Sequence, residues 1–388
     1  MLTRRGGLRL AEAAAAAAVL LLVPAFAAAA ENRPRIRDLG VAPGVLPPGP
    51  LNAITDVEGV RVGHRTLVEG DSVRTGVTAI VPASGDLFQS KVAAAAWVAN
   101  GFGKAAGLLQ VRELGNLETP IVLTNTLAVG TAVTALVRWT LAQPGHDGIR
   151  SVDAVVGETN DGWALNDIRA LRVTEQDVLA AVSAAHAGPV EEGSVGAGTG
   201  TVAFGWKGGI GTASRRLPPS LGGWTLGALV QTNFGGILTV DGVRVGEALK
   251  RFSFAEELGR GAGDGSCMIV LATDAPLSSR NLERLARRAE LGLARTGSFV
   301  GNGSGDFIIA FSTRNRVPYD PKEAVRRVEE LENDRMDPLF LAAVESVEEA
   351  VYNSLTRATT VTGAGGRTIE AIPIDRLREL LAVRSPAH

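Results

Sequence analysis

Apolar positions along this chain fall into two rhythms: short runs closed by glycine, and longer stretches that repeat with a helical period. Val60 to Val62, Gly76 to Val81, Val152 to Val156, Trp224 to Thr232, Cys267 to Thr273 and Phe307 to Ser312 are short runs bounded by turn residues, which predicts strands. Thr126 to Gln143 places Leu127, Ala128, Thr131, Ala132, Ala135 and Leu136 on one face and stops at Pro144-Gly145, which predicts a helix. A second helix is predicted from Thr174, its N-cap, to His186. A third begins at Ser278 or Ser279 and aligns Leu282, Leu285, Ala286, Ala289 and Leu293. Pro338 to Ala358 and Asp375 to Ala382 are amphipathic helices. Lys91 to Asn100 is small and apolar, and residues 31–50 read as an extended arm rich in Pro, Gly and Arg. The mixture predicts an α/β or α+β class, with no clean repeat and no linker that forces two domains.

Composition narrows the reading. The chain has 388 residues, 45% hydrophobic and 21% charged, enough for a large core. A net charge of −2 argues against a nucleic-acid partner. With one cysteine, Cys267, no intramolecular disulfide can form. The four histidines, His64, His146, His186 and His388, show no metal-ligand spacing, so no metal or other cofactor is expected. Residues 1–30 read as a signal peptide: Arg4, Arg5 and Arg9, then apolar Ala13 to Ala27, then Ala28-Ala29-Ala30 before Glu31. The segment 3–9 loosely matches a twin-arginine signal, with Gly7 where a bulky residue belongs. A periplasmic or secreted protein, free of the membrane once the signal is removed, is the expectation.

Chemistry concentrates at Gly265-Ser266. A glycine tract, Gly261-Ala-Gly-Asp-Gly265, ends at a small nucleophile, and an apolar run begins at once. Glycine lets a hydroxyl approach the peptide closely. A serine freed as a new N-terminus carries its own base, an α-amine with a pKa of about 8. The same residues also fit a loop that feeds a buried strand. Cys267, one step further along the strand, is expected to face the other way. Asn233, Ser304 and Asp306 sit at strand ends or in glycine turns, where scaffolds present chemistry. Ser304 and Asp306 are two apart and share a side, in reach of the Ser266 amine and hydroxyl or simply satisfying a turn. Gly196-x-Gly198 matches half of a dinucleotide fingerprint without the βαβ context that would give it meaning.

Several segments, in order, resemble the L-aminopeptidase D-amidase/D-esterase family, self-processing enzymes that include the β-peptidyl aminopeptidases. They are Leu51-Asn-Ala-Ile-Thr-Asp-Val57, Val62-Gly-His64, Arg74-Thr-Gly-Val-Thr78, Pro120-Ile-Val-Leu-Thr-Asn-Thr126, Leu165-Asn-Asp167, Gly196-Ala-Gly-Thr-Gly200 and Lys207-Gly-Gly-Ile-Gly211. Gly265-Ser-Cys-Met-Ile-Val-Leu-Ala-Thr-Asp-Ala-Pro-Leu277, Leu293-Ala-Arg-Thr-Gly297, Gly301-Asn-Gly-Ser-Gly-Asp306 and Ala310-Phe-Ser-Thr313 continue the series. The resemblance implies a four-layer αββα sandwich, a single catalytic domain over 31–388, and scission of Gly265–Ser266 into an α chain 31–265 and a β chain 266–388. It implies Ser266 as nucleophile, Asn233 as oxyanion donor, Ser304 and Asp306 as the pair that positions Ser266, and Glu158 as receiver of the substrate's amino group. A small peptide or an amino-acid amide or ester is the implied substrate, and a homo-oligomer of αβ units the implied assembly.

Two departures stand out. No tyrosine lies in the segment Glu158 to Trp163, where family members carry one; the only tyrosines are Tyr319 and Tyr352. Asn160 or Trp163 is left to donate in its place. Lys104 stands where an acidic residue is expected. An acyltransferase on the same fold, or an exported binding protein with impaired catalysis, remains an alternative at this point.

Overall fold

The computed structural model describes residues 33–255 and 265–383. The signal-like segment 1–30 and the glycine tract up to Asp264 lie outside them. In chain order the strands are β1 (Arg61–Glu69), β2 (Val73–Val81), β3 (Ser90–Gly101), β4 (Asn116–Leu117), β5 (Ile121–Asn125), β6 (Val155–Thr159), β7 (Val202–Ala203), β8 (Trp206–Lys207), β9 (Gly209–Arg216), β10 (Thr225–Asn233), β11 (Ser266–Thr273), β12 (Gly305–Pro318), β13 (Val361–Thr362) and β14 (Thr368–Ile369). The helices are α1 (Leu108–Leu114), α2 (Val129–Leu141), α3 (Glu175–Ser183), α4 (Val245–Ala248), α5 (Ser279–Arg295), α6 (Asp337–Thr356) and α7 (Ile374–Ala382). Four strands form one sheet in the order β1-β2-β5-β6, and six form another in the order β4-β3-β12-β11-β10-β9.

Alternation of side chains along the strands builds the layers. Val77, Ala79 and Val122 on one face of the four-stranded sheet pack on Ala132 and Leu136 of α2 and on Val178 and Ala181 of α3. Ile80, Ile121 and Leu123 on its other face meet Leu229, Met268, Val270 and Ile309 of the six-stranded sheet. The far face of that sheet, with Ala228, Ile269, Leu271 and Ile308, is covered by Leu285 and Ala289 of α5 and by Leu339 and Val347 of α6. The result is the αββα sandwich that the resemblance implied.

The alanine-rich stretch after Lys91 becomes β3, although alanine has a low strand propensity. Its alternate alanines fill two different cores, Ala94 and Ala96 between the sheets and Ala93 and Ala95 under the helices. Tertiary packing therefore decides its structure. Thr174 caps α3 as predicted, its hydroxyl accepting from Asp177 N–H at 3.3 Å. Ser278 is the N-cap of α5, but its hydroxyl donates to Glu330 instead of capping.

The arm before β1 is locked down by buried charge. Arg215 on β9 donates from Nε to Glu345 on α6 at 2.9 Å, and Arg37 donates from Nε to Glu349 at 2.6 Å. Glu345 also accepts from the backbone N–H of Val45 at 2.8 Å and of Leu46 at 3.1 Å.

Candidate active site

Strand register brings the chemistry together. β10 ends at Asn233, β11 begins at Ser266, and the antiparallel ladder sets the two residues directly opposite each other. On the other sheet, β5 and β6 run parallel, with Thr124 beside Glu158. Gln231 of β10 ties the two sheets here, donating from Nε2 to Thr159 Oγ1 at 2.9 Å, to Ala197 O at 3.0 Å and to Thr124 O at 3.2 Å. Ser266, Asn233, Glu158, Asn160, Trp163 and Gly265 line one pocket of about 380 Å3, together with Phe102, Lys104, Thr126, Asn302 and Gly303.

Ser266 is 6% exposed, and its hydroxyl accepts from Gly305 N–H at 3.3 Å. Gly265 runs tight against β10: a Cβ there would lie 2.1 Å from both Asn233 O and Phe234 Cα. Only glycine fits that approach. Asn233 is held at both ends of its amide. Its Oδ1 accepts from Val202 N–H at 2.9 Å, and its Nδ2 donates to Asn160 O at 3.0 Å. An amide nitrogen carries two hydrogens, so a second remains for a ligand. Glu158 is buried, its Oε1 accepting from Lys104 N–H at 2.9 Å and its Oε2 from the Thr126 hydroxyl. Asn160 Oδ1 accepts from Gly162 N–H at 2.9 Å, while Trp163 is 77% exposed at the mouth.

Ser304 and Asp306 do share a side, but it is not the side of the Ser266 hydroxyl. In the parallel register Asp306 pairs with Cys267, whose side chain packs in the core under α5 and α6. Among the described residues, neither Asp306 oxygen nor the Ser304 hydroxyl makes a hydrogen bond of good geometry. Burial pushes the Asp306 carboxyl up to about 6; the nearby Ser304 hydroxyl and Cys267 N–H pull against that, and Glu290 of α5 adds to it. The pair therefore sits behind the strand end, unsatisfied, one residue beyond the Ser266 nitrogen. Cys267 is fully buried on that face, its thiol pushed well above its ordinary range by burial and by Asp306.

Neither tyrosine reaches the pocket. Tyr352 donates to Thr239 O at 2.9 Å, and Tyr319 packs on Phe88 with ring centroids 4.8 Å apart. His64, singled out by its motif, binds Thr78 Oγ1 at 2.9 Å; burial, then His186, lowers its pKa to about 4.

Sequence reading missed Lys207 as a charge. It was visible only as the start of a glycine cluster. The side chain is fully buried, and Nζ donates to Gly198 O at 2.7 Å and to Gly208 O at 2.8 Å. Burial lowers its pKa to about 7, opposed by Asp161. Asp161 is itself raised to about 7, chiefly by burial, and accepts from Asn166 Nδ2 at 2.9 Å. Lys207 pairs with Val202 across the β7–β8 ribbon, and Asp161 follows Asn160. Lys207 and Asp161 thus sit beside the two segments that clamp Asn233, each feeling the other's charge.

A serine at a strand end, an amide donor and a buried carboxyl thus meet in one pocket of an αββα sandwich, an arrangement suited to a hydrolase of the aminopeptidase class. Comparison with known proteins agrees. The model of peptidase family S58 matches residues 52–369. The chain is 42% identical over 377 residues to the beta-peptidyl aminopeptidase BapA of Sphingosinicella microcystinivorans, covering 92% of this chain and 94% of that one. The solved beta-aminopeptidase of a Burkholderia species superposes with a TM-score of 0.83 at 43% identity, covering 90% of this chain and 98% of that one. The L-aminopeptidase D-Ala-esterase/amidase of Ochrobactrum anthropi, described as a variant of the Ntn hydrolase fold, superposes with a TM-score of 0.82 at 40% identity, covering 90% and 98%. The chain belongs to peptidase family S58 and is an aminopeptidase.

Proposed function

We propose that this chain is an exported serine aminopeptidase that cuts itself at Gly265–Ser266 and then uses Ser266 as an N-terminal nucleophile. The observation that carries the reading is the register that sets Ser266 opposite Asn233, in one pocket with Glu158. In the first step Ser266 Oγ bonds to the Gly265 carbonyl carbon, the C–N bond to Ser266 breaks, and the hydroxyl proton passes to the departing nitrogen. Water then hydrolyses the ester, leaving a Gly265 carboxylate and a Ser266 with free amine and hydroxyl. The crowding at Gly265 supports this step, because β10 presses the peptide against the hydroxyl's strand.

In the processed enzyme the Ser266 amine takes the Oγ proton as Oγ attacks the substrate's first carbonyl. The second amide hydrogen of Asn233 faces the developing oxyanion. Asn160 and Trp163 supply the remaining pocket donors where the family tyrosine is missing. The amine proton goes to the leaving nitrogen, and water frees the acyl group. Glu158 receives the substrate's ammonium, replacing part of its bond to Thr126. Asp306 and Ser304, which among the described residues lack a hydrogen bond of good geometry, become acceptors for the N–H of the amine that scission releases and hold it as the base. Export rests on the basic and apolar pattern of residues 1–30.

The test is hydrolysis of an amino-acid p-nitroanilide and of its N-acetylated counterpart. Wild type should release p-nitroaniline from the free amine only, and Ser266→Ala from neither. Equal turnover of the acetylated compound would remove the role given to Glu158, and activity in Ser266→Ala would remove the mechanism.

A further inference from the structure

The pocket holds an unlike pair of charges whose spacing is built in. Glu158 lies at its base. Lys104 N–H donates to Glu158 Oε1 at 2.9 Å, so the same loop that binds the carboxyl also anchors the lysine. Gly103, just before it, has no room for a side chain: a Cβ would lie 2.4 Å from the Phe307 ring and 3.0 Å from Glu158 Oε1. The loop is thus pressed onto Glu158. From that anchor the Lys104 side chain lies along Phe102, with Nζ 4.6 Å from the ring centroid, and both residues line the pocket mouth. Among the described residues no carboxylate pairs with Lys104 within 4.0 Å. An exposed cation held on an aromatic face in a ligand pocket, without an anion, is a receptor for one.

We propose that Lys104 binds the carboxylate at the far end of the substrate, so that the enzyme selects dipeptides with a free C-terminus over the corresponding amides. This rests on the aminopeptidase reading above, in which Glu158 takes the ammonium end. A zwitterionic dipeptide offers the complementary charge at each end, with its peptide carbonyl between them near Ser266. A pocket of about 380 Å3 suits a ligand of that size better than a long peptide.

The experiment measures kcat/KM for L-alanyl-L-leucine and β-alanyl-L-leucine, each as free acid and as C-terminal amide, with wild type, Lys104→Gln and Lys104→Glu. The readout is the acid-to-amide ratio. For a partly exposed ion pair the wild type should favour the acid about twofold to fivefold, mainly through KM. That preference should shrink as salt is raised to about 0.5 M. Lys104→Gln should bring the ratio to about one, and Lys104→Glu should invert it. A ratio that is the same in all three proteins overturns the proposal and leaves the aminopeptidase reading standing. Turnover of none of the four compounds by wild type, or undiminished turnover in Ser266→Ala, overturns that reading and the proposal with it.

Discussion

Scission after Gly265 would leave two polypeptides whose union depends on buried charge, and Arg215→Met tests how much. Arg215 and Glu345 have side chains 0% and 1% exposed, with Nε 2.9 Å from Glu345 Oε2. The same guanidinium lies 2.9 Å from Glu349 Oε2, a second buried carboxyl. It also donates to Pro43 O at 2.6 Å, to Ser214 O at 2.8 Å and to Glu345 O at 3.2 Å. Arg215 belongs to the segment before the proposed cut, and Glu345 and Glu349 to the segment after it. Methionine keeps the apolar stem but strands the carboxyls and three carbonyls. Removing one partner of a buried pair costs about 3–5 kcal/mol. Arg37 still serves Glu349, and Val45 and Leu46 still serve Glu345, so the loss belongs inside that range. For a chain of this length, roughly 2 °C per kcal/mol gives a fall in Tm of about 6–10 °C.

The assay is a thermal melt of Arg215→Met and Arg215→Lys, each in the wild-type and Ser266→Ala backgrounds. Lysine, which keeps the charge without the fork, should fall between arginine and methionine. Acid adds a check of sign. Burial pushes the Glu349 carboxyl up, but Arg37, Arg215 and Asn52 together hold it below its ordinary value of 4.5. Its stabilisation is therefore present above about pH 4.5 and lost as pH falls below that, and in Arg215→Met, where the folded carboxyl rises back toward its ordinary value, that acid loss should shrink. A methionine variant melting within about 1 °C of its parent would refute this account of the buried cluster.

Other residues give equally direct outcomes. Gly265→Ala should slow or stop the appearance of two fragments on a denaturing gel, because its Cβ meets backbone at 2.1 Å. Lys207→Met should lower kcat about tenfold with little change in KM, since it loosens the clamp on Asn233 without touching substrate. Lys207 is depressed to about 7 in the folded protein against 10.5 unfolded, so wild type should gain stability between about pH 7 and 10, and melts of the variant should lack that rise. Asp306→Asn should have opposite effects in two backgrounds. In uncut Ser266→Ala protein it should raise Tm at pH 7.5 but not at pH 4, because it removes a carboxyl whose ionised form is penalised above about pH 6. In the processed wild type it should cut kcat, having removed the partner of the new amine.

The helices and several strands were legible in the sequence because they carry their own periodicity, whereas their stacking into αββα layers came from family resemblance. Leu282, Leu285, Ala286, Ala289 and Leu293 mark the buried face of α5, and all are core. β3 was not legible as a strand, since its alanines carry no strand signal until two cores close on them. The proximity of Asn233 and Glu158 to Ser266 came from family resemblance rather than spacing, as only the register of β10 with β11 and the approach of β6 bring them together. The separate face of Asp306 follows from counting along β12, where Phe307 faces the other sheet and Ile308 the helices. Lys207 was hidden because a lysine among glycines reads as a solvated turn. Nothing local tells that Gly198 and Gly208 aim their carbonyls at its ammonium.

Intact-mass spectrometry of purified wild type beside Ser266→Ala puts the greatest weight on the fewest assumptions. Two polypeptides from the wild type, the second beginning at Ser266, and one uncut chain from the variant are the predicted result. A wild type that hydrolyses aminoacyl substrates while remaining a single chain, or a variant severed at the same bond, would contradict it.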